Sequence, residues 1–143
     1  MGTKANPVAA EVDAVLHTYP TKARTRLKQV RRLIYQVARE TPEVGTLTET
    51  TKWSEPAYLT ERTKAGVTLR MAWKAKRPDE YALFVNCQSG VLDTLRTINP
   101  ELVCEGNRAI WFDLNQPCPE DDIRLCAQIA LTWHANKRRS KRA

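Results

Sequence analysis

Two hydrophobic periods alternate along this chain and divide it into helical flanks and a strand-rich middle. From Pro7, the apolar positions Val8, Val12, Val15, Leu16 and Tyr19 share one face at helical spacing and predict a short first helix. Pro20 suits the first turn of a second helix, and Pro42 discourages its continuation beyond Thr41. Leu27, Val30, Leu33, Ile34, Val37 and Ala38 form the buried stripe of that helix. Lys22, Arg24, Lys28, Arg31, Arg32 and Arg39 lie opposite, a basic face read first as the solvated one.

The period then shortens to two. Val67, Leu69, Met71 and Trp73 alternate with Thr68, Arg70, Ala72 and Lys74, the pattern of a half-buried strand. Tyr81 to Gln88 is apolar on both faces over most of its length, which predicts a central strand. Two shorter strands, Leu47 to Trp53 and Ala57 to Thr60, precede these, with a break expected at Ser54-Glu55-Pro56 because proline has no N–H for a ladder. Gly66 is the residue available for positive φ in the following loop. Ser89 caps a short helix over Gly90–Ile98, and Glu105-Gly106-Asn107 joins strands at Leu102–Cys104 and Arg108–Leu114. Pro119 opens a last helix whose buried side is Ile123, Cys126, Ala127, Ala130 and Trp133.

Segregated runs of this kind predict an α+β domain, a twisted antiparallel sheet with N-terminal and C-terminal helices packed on one face. Hairpins this tight leave no room for the crossover helices of a parallel sheet. The expected boundaries are one domain over residues 7–135 and a basic, frayed tail over 136–143.

Charge changes this picture little. The net charge is +7, but Lys137, Arg138, Arg139, Lys141 and Arg142 supply five of those charges, and without them +2 remains. Binding of a nucleic acid or an acidic partner through the second helix and the tail is therefore an alternative reading, not the leading one. The N-terminal stretch lacks the pattern of a signal peptide and no apolar run is long enough to span a bilayer, so a cytoplasmic protein with no membrane association is expected. Cys87, Cys104, Cys118 and Cys126 have neither zinc-site nor disulfide-framework spacing, and no metal site is assigned. Cys87 shares its phase with Tyr81, Leu83 and Val85 and is read as a buried inert thiol; a reactive thiol there is the enzymatic alternative. No catalytic residue is assigned, because no nucleophile–base pair or phosphate-cradling glycine loop is present.

The segment Trp53-Ser54-Glu55-Pro56-Ala57-Tyr58 resembles the W-G-x-P-A/S-Y signature of the YdhG-like family, bacterial domains of unknown function. The basic amphipathic second helix and the run Tyr81–Gln88 are similar too, so the resemblance covers roughly residues 10–135. Ser54 stands where the family has glycine. The resemblance implies the α+β fold above and, for some members, a role as an intracellular iron chaperone likened to frataxin. Hard iron sites gather carboxylates, and the first two helices here offer few against many cations.

Candidate chemistry centres on the strands. Trp53, Tyr58 and Trp73 are amphipathic aromatics, and Glu49, Glu55, Arg70 and Gln88 place polar groups near them. Glu49 shares its alternation phase with Trp53. Aromatic walls with a few aimed polar groups suit a small-molecule pocket, and an arginine there would grip a carboxylate or phosphate. The leading expectation is thus a non-enzymatic module for an unidentified small molecule. Against it stands plain packing, with Trp53 and Trp73 in the core and Glu55–Arg70 a surface pair.

Overall fold

The computed structural model describes residues 6–86 and 88–142. The fold is α+β. Helices α1 (Ala10–His17) and α2 (Thr21–Glu40) precede strands β1 (Thr48–Lys52), β2 (Glu55–Leu59), β3 (Leu69–Ala72) and β4 (Glu80–Phe84). Helix α3 (Val91–Ile98), strands β5 (Val103–Glu105) and β6 (Ala109–Asp113), and helices α4 (Glu120–Leu131) and α5 (Trp133–Arg142) complete the chain. The six strands form one antiparallel sheet in the order β1-β2-β3-β4-β6-β5. No helix among the described residues is long and apolar enough to cross a membrane.

Alternation along the strands separates two unlike faces. Leu69, Met71, Tyr81, Leu83 and Ile110 join Leu16, Leu27, Ile34, Leu92 and Ile123 of α1–α4 in one apolar core. On the other face Ala72, Ala82, Phe84, Ala109 and Trp111 form a second, thinner cluster. Among the described residues no helix contributes to that cluster; long cationic side chains lie over its rings instead. The Arg77 guanidinium lies 3.8 Å from the Trp111 ring centroid and that of Arg70 lies 5.4 Å from Phe84. Cations shield the aromatic faces while their own charge stays near water.

Several cations of α2 serve the fold. Arg24 donates to the carbonyls of Leu16, His17 and Tyr19, satisfying backbone acceptors at the end of α1. Arg26 donates to the Tyr81 hydroxyl and the Gln116 carbonyl. These charges hold neighbouring elements together.

Two turns differ from expectation. The predicted break at Ser54-Glu55-Pro56 is a two-residue hairpin turn at Trp53-Ser54, and Glu55 and Pro56 belong to β2. Pro56 faces Thr51, one step beyond the closing Lys52↔Glu55 pair, where the β1–β2 ladder requires no N–H; pairing with β3 starts just past it, at Ala57↔Arg70. Trp53 and Ser54 both have positive φ, 55° and 61°, the backbone of a turn that ordinarily takes Asn-Gly. Gly66 does not supply the positive φ expected of it; Lys64 does, at 55°. Gly66 is needed for close approach instead: a Cβ there would lie 2.4 Å from the Ala130 oxygen and the Leu131 backbone. Beside that contact the Val67 amide donates to Ala130 O and the Ala135 amide to Ala65 O.

The C-terminal residues, expected to fray, continue as helix α5 after a break at Thr132. Arg138 donates to the Lys64 carbonyl and Arg139 pairs with Glu43, so two of its cations reach back to the body of the domain.

Two substitutions test these turns. Ser54→Gly should raise stability by about 0.5 kcal/mol, the relief of a left-handed serine offset by the greater freedom of unfolded glycine. Gly66→Ala should lower it by about 3 kcal/mol, because backbone rather than a mobile side chain stands in the way. Urea midpoints at unchanged slope read both.

Candidate functional site

The seven candidate residues divide between the two faces of the sheet. Glu49, Tyr58 and Trp73 face the helices. Glu49 does not share a side with Trp53, because the left-handed turn ends the strand alternation one residue before the tryptophan. Its carboxylate meets Arg31 of α2, which is only 4% exposed and so does not belong to the solvated face where the sequence pattern put it. Arg31 donates through Nε to Glu49 Oε2 at 2.6 Å and through Nη2 to Oε1 at 3.0 Å. The Ala9 amide and the Tyr58 hydroxyl add bonds of 3.0 and 2.9 Å to the same carboxylate. Arg31 also donates to Pro7 O at 3.1 Å and lies 4.7 Å from the centre of the Tyr35 ring.

Burial alone would raise the Glu49 pKa, but the Arg31, Ala9 and Tyr58 hydrogen bonds outweigh it and hold the carboxyl below its ordinary value. Burial opposes the charge on Arg31 as well, and the bond to Glu49 prevails and raises its pKa. Tyr58 is held neutral by burial and by the negative charge beside it. Four donors occupy the roughly four acceptor sites a carboxylate offers. Glu49 therefore has no capacity left for a ligand, and this network is a structural clamp. Trp73 is likewise committed to the fold: its ring packs 5.9 Å from Tyr19 and its indole N–H donates to Pro78 O at 2.9 Å.

Glu55, Arg70, Trp53 and Gln88 belong to the other side. Glu55 is 5% exposed and accepts from Arg70 Nη1 at 2.6 Å and from Lys74 Nζ. This is a partly buried triad of two cations and one carboxylate rather than a surface pair. Arg70 continues into a groove of about 710 Å³, which Trp53 and Gln88 also line. Lys52, Thr68, Asn86, Ser89, Arg108 and His134 complete the polar lining, and the buried Val67 and Val85 line it too. Among the described residues, none lining this groove is acidic. Trp53 stands at its rim with 86% of its surface exposed, a placement packing does not explain. Three of the seven candidates thus meet in one cavity, with Glu55 bonded to one of them.

Lys52, Arg108 and His134 escaped the sequence reading. They come from a hairpin end, the turn just before β6 and the first turn of α5, and no linear spacing links them. Arg31 carried a readable signal: it stands four residues after Leu27 and three before Ile34, inside the apolar stripe.

Among the described residues, no three His, Cys, Asp or Glu side chains gather as metal ligands. Cys104, Cys118 and Cys126 are free thiols whose pKa values burial raises, that of Cys126 to about 12. Cys87 lies outside the described residues. No protein-family model, curated protein or solved structure matches the chain.

The clamp makes a pH-dependent contribution of known sign. With its folded pKa below the ordinary 4.5, Glu49 stabilises the fold above that pH and loses the contribution as pH falls through the folded value. Glu49→Gln should cost about 3–5 kcal/mol near neutrality by leaving Arg31 buried without its counter-charge. It should also flatten the acid limb of a stability–pH profile measured by urea unfolding.

Proposed function

We propose that this domain is a non-enzymatic binding module for a small anionic ligand that carries a flat ring, held in the groove between Trp53, Arg70 and Arg108. The observation that carries the reading is the pairing of a highly exposed indole with a cavity whose charged lining, among the described residues, is wholly basic. An indole face accepts an aromatic ring by stacking, and guanidinium groups bind carboxylate or phosphate through paired N–H donors. Arg70 is pre-oriented for such a contact, since Glu55 fixes one of its terminal nitrogens and the triad keeps one excess positive charge. Asn86 and Gln88 add exposed amides able to donate and accept at the same rim.

We also infer a YdhG-like relationship from the Trp53–Tyr58 segment. Under that reading the signature supplies both halves of the arrangement: the tryptophan of the turn at the groove and the strand that carries Glu55.

The test is isothermal titration calorimetry of the whole chain with adenosine 5′-monophosphate, which joins a ring to a phosphate. The expected result is saturable binding, weakened about tenfold by Trp53→Ala and by Arg108→Gln, both exposed positions, at unchanged circular dichroism. No binding by the unmodified chain, or equal binding by both variants, would refute the assignment.

A further inference from the structure

The positive charge of the groove does not stop at its edge. His134, which lines it, is in the first turn of α5, and Lys137, Arg138 and Lys141 follow at intervals of three, one and three residues. Those spacings place all four on one side of the helix, so a basic stripe about 10 Å long leads away from the cavity. Lys137, Arg138 and Lys141 are exposed. Arg138 reaches the Lys64 carbonyl, which fixes α5 against the loop preceding the Gly66–Val67 side of the groove without neutralising its charge.

Several cations elsewhere are engaged. On α2, Arg24 and Arg26 hold carbonyls and a hydroxyl, and Arg31 is matched by Glu49. The other large concavity, about 580 Å³ between α2 and α4, is lined by Arg31, Arg32, Arg39 and Arg124 but also by Glu40 and Glu120; there Arg31 is matched by Glu49 and Arg124 faces Glu120 and Asp121. Among the described residues, it is the groove together with α5 that joins a charged lining without carboxylates to a bare aromatic ring.

We propose that the groove and α5 form one track for a single-stranded nucleic acid, with a base stacked on Trp53 and successive phosphates on Arg108, Lys52 and the α5 stripe. The inference rests on the reading of the groove as a site for a ring and an anion, and it names the partner as a polymer of such units. A lone anion has no use for a stripe running beyond the cavity, whereas a phosphodiester strand presents a charge at each nucleotide. A single strand is favoured over a duplex because an indole projecting from a turn stacks on a base whose face is free. The track reads backbone and base faces, chemistry that DNA and RNA share.

Fluorescence anisotropy with labelled oligothymidylate and oligouridylate of about 12 nucleotides tests this, alongside a duplex of the same length and heparin. Both single strands should bind more tightly than adenosine monophosphate, and their affinity should fall about 50-fold between ~50 and ~200 mM salt if about four phosphates are neutralised. The triple variant Lys137→Gln, Arg138→Gln, Lys141→Gln should flatten the salt slope by about 2 while leaving adenosine monophosphate binding intact. Trp53→Ala should weaken oligonucleotide binding about tenfold at low salt. Mononucleotide binding with no gain for the oligonucleotides, or with no effect of the triple variant, overturns the track and spares the groove. Duplex or heparin bound as tightly and without dependence on Trp53 also overturns it, as mere polyanion attraction. Absence of mononucleotide binding by the unmodified chain removes both readings.

Discussion

A guanidinium and a carboxylate enclosed together are tolerable only when both are hydrogen-bonded throughout, and the Arg31–Glu49 pair imposes that condition on four segments at once. The residues before α1 contribute the Pro7 carbonyl and Ala9 amide, α2 the arginine, β1 the glutamate and β2 the Tyr58 hydroxyl. A slip of one residue in either strand would send its partner group to the opposite face of the sheet. A rotation of α2 would leave a buried charge alone, which is far more damaging than losing an apolar contact. Hydrophobic burial drives these elements together, and the clamp selects the register in which they meet.

With that register set, the sheet becomes a partition. One side is closed by helices and filled with aliphatic and aromatic side chains; the other is shielded by arginine and lysine stems lying over Phe84 and Trp111. Strand alternation assigns Glu49 and Glu55, six residues apart with a turn between them, to opposite sides. One carboxylate thereby serves the core and the other orients a cation beside the groove.

Helices α1 to α4, the succession of elements along the chain and the α+β class were legible because they follow from where apolar residues recur, and burial in one dominant core preserves that pattern. Leu69 and Met71 against Arg70 and Ala72 is such a case: the period of two became the two faces of β3. The turns were harder, since Trp-Ser is a poor sequence signal for a left-handed two-residue turn and tertiary pairing imposed it. At Gly66 the demand is space beside α4 rather than backbone freedom, a tertiary contact that local sequence does not announce. Of the candidate site, Trp53, Arg70 and Gln88 were recognisable as polar or aromatic positions on strands or at their ends. Their separation from Glu49 and Tyr58 was hidden in a turn conformation, and the added cations converge from segments more than eighty residues apart.

The left-handed turn at Trp53 has an entropic consequence. Its backbone torsions are held by the hairpin on both sides, and the indole has only two side-chain torsions left to order. Whatever packs against that ring meets a surface whose conformational freedom was largely surrendered when the chain folded. The free energy stored in two non-glycine residues at positive φ is thus a burden on the isolated domain that association need not bear again. Relaxing the turn would trade in the other direction, towards a sturdier hairpin with a more mobile ring and a larger loss of disorder on contact.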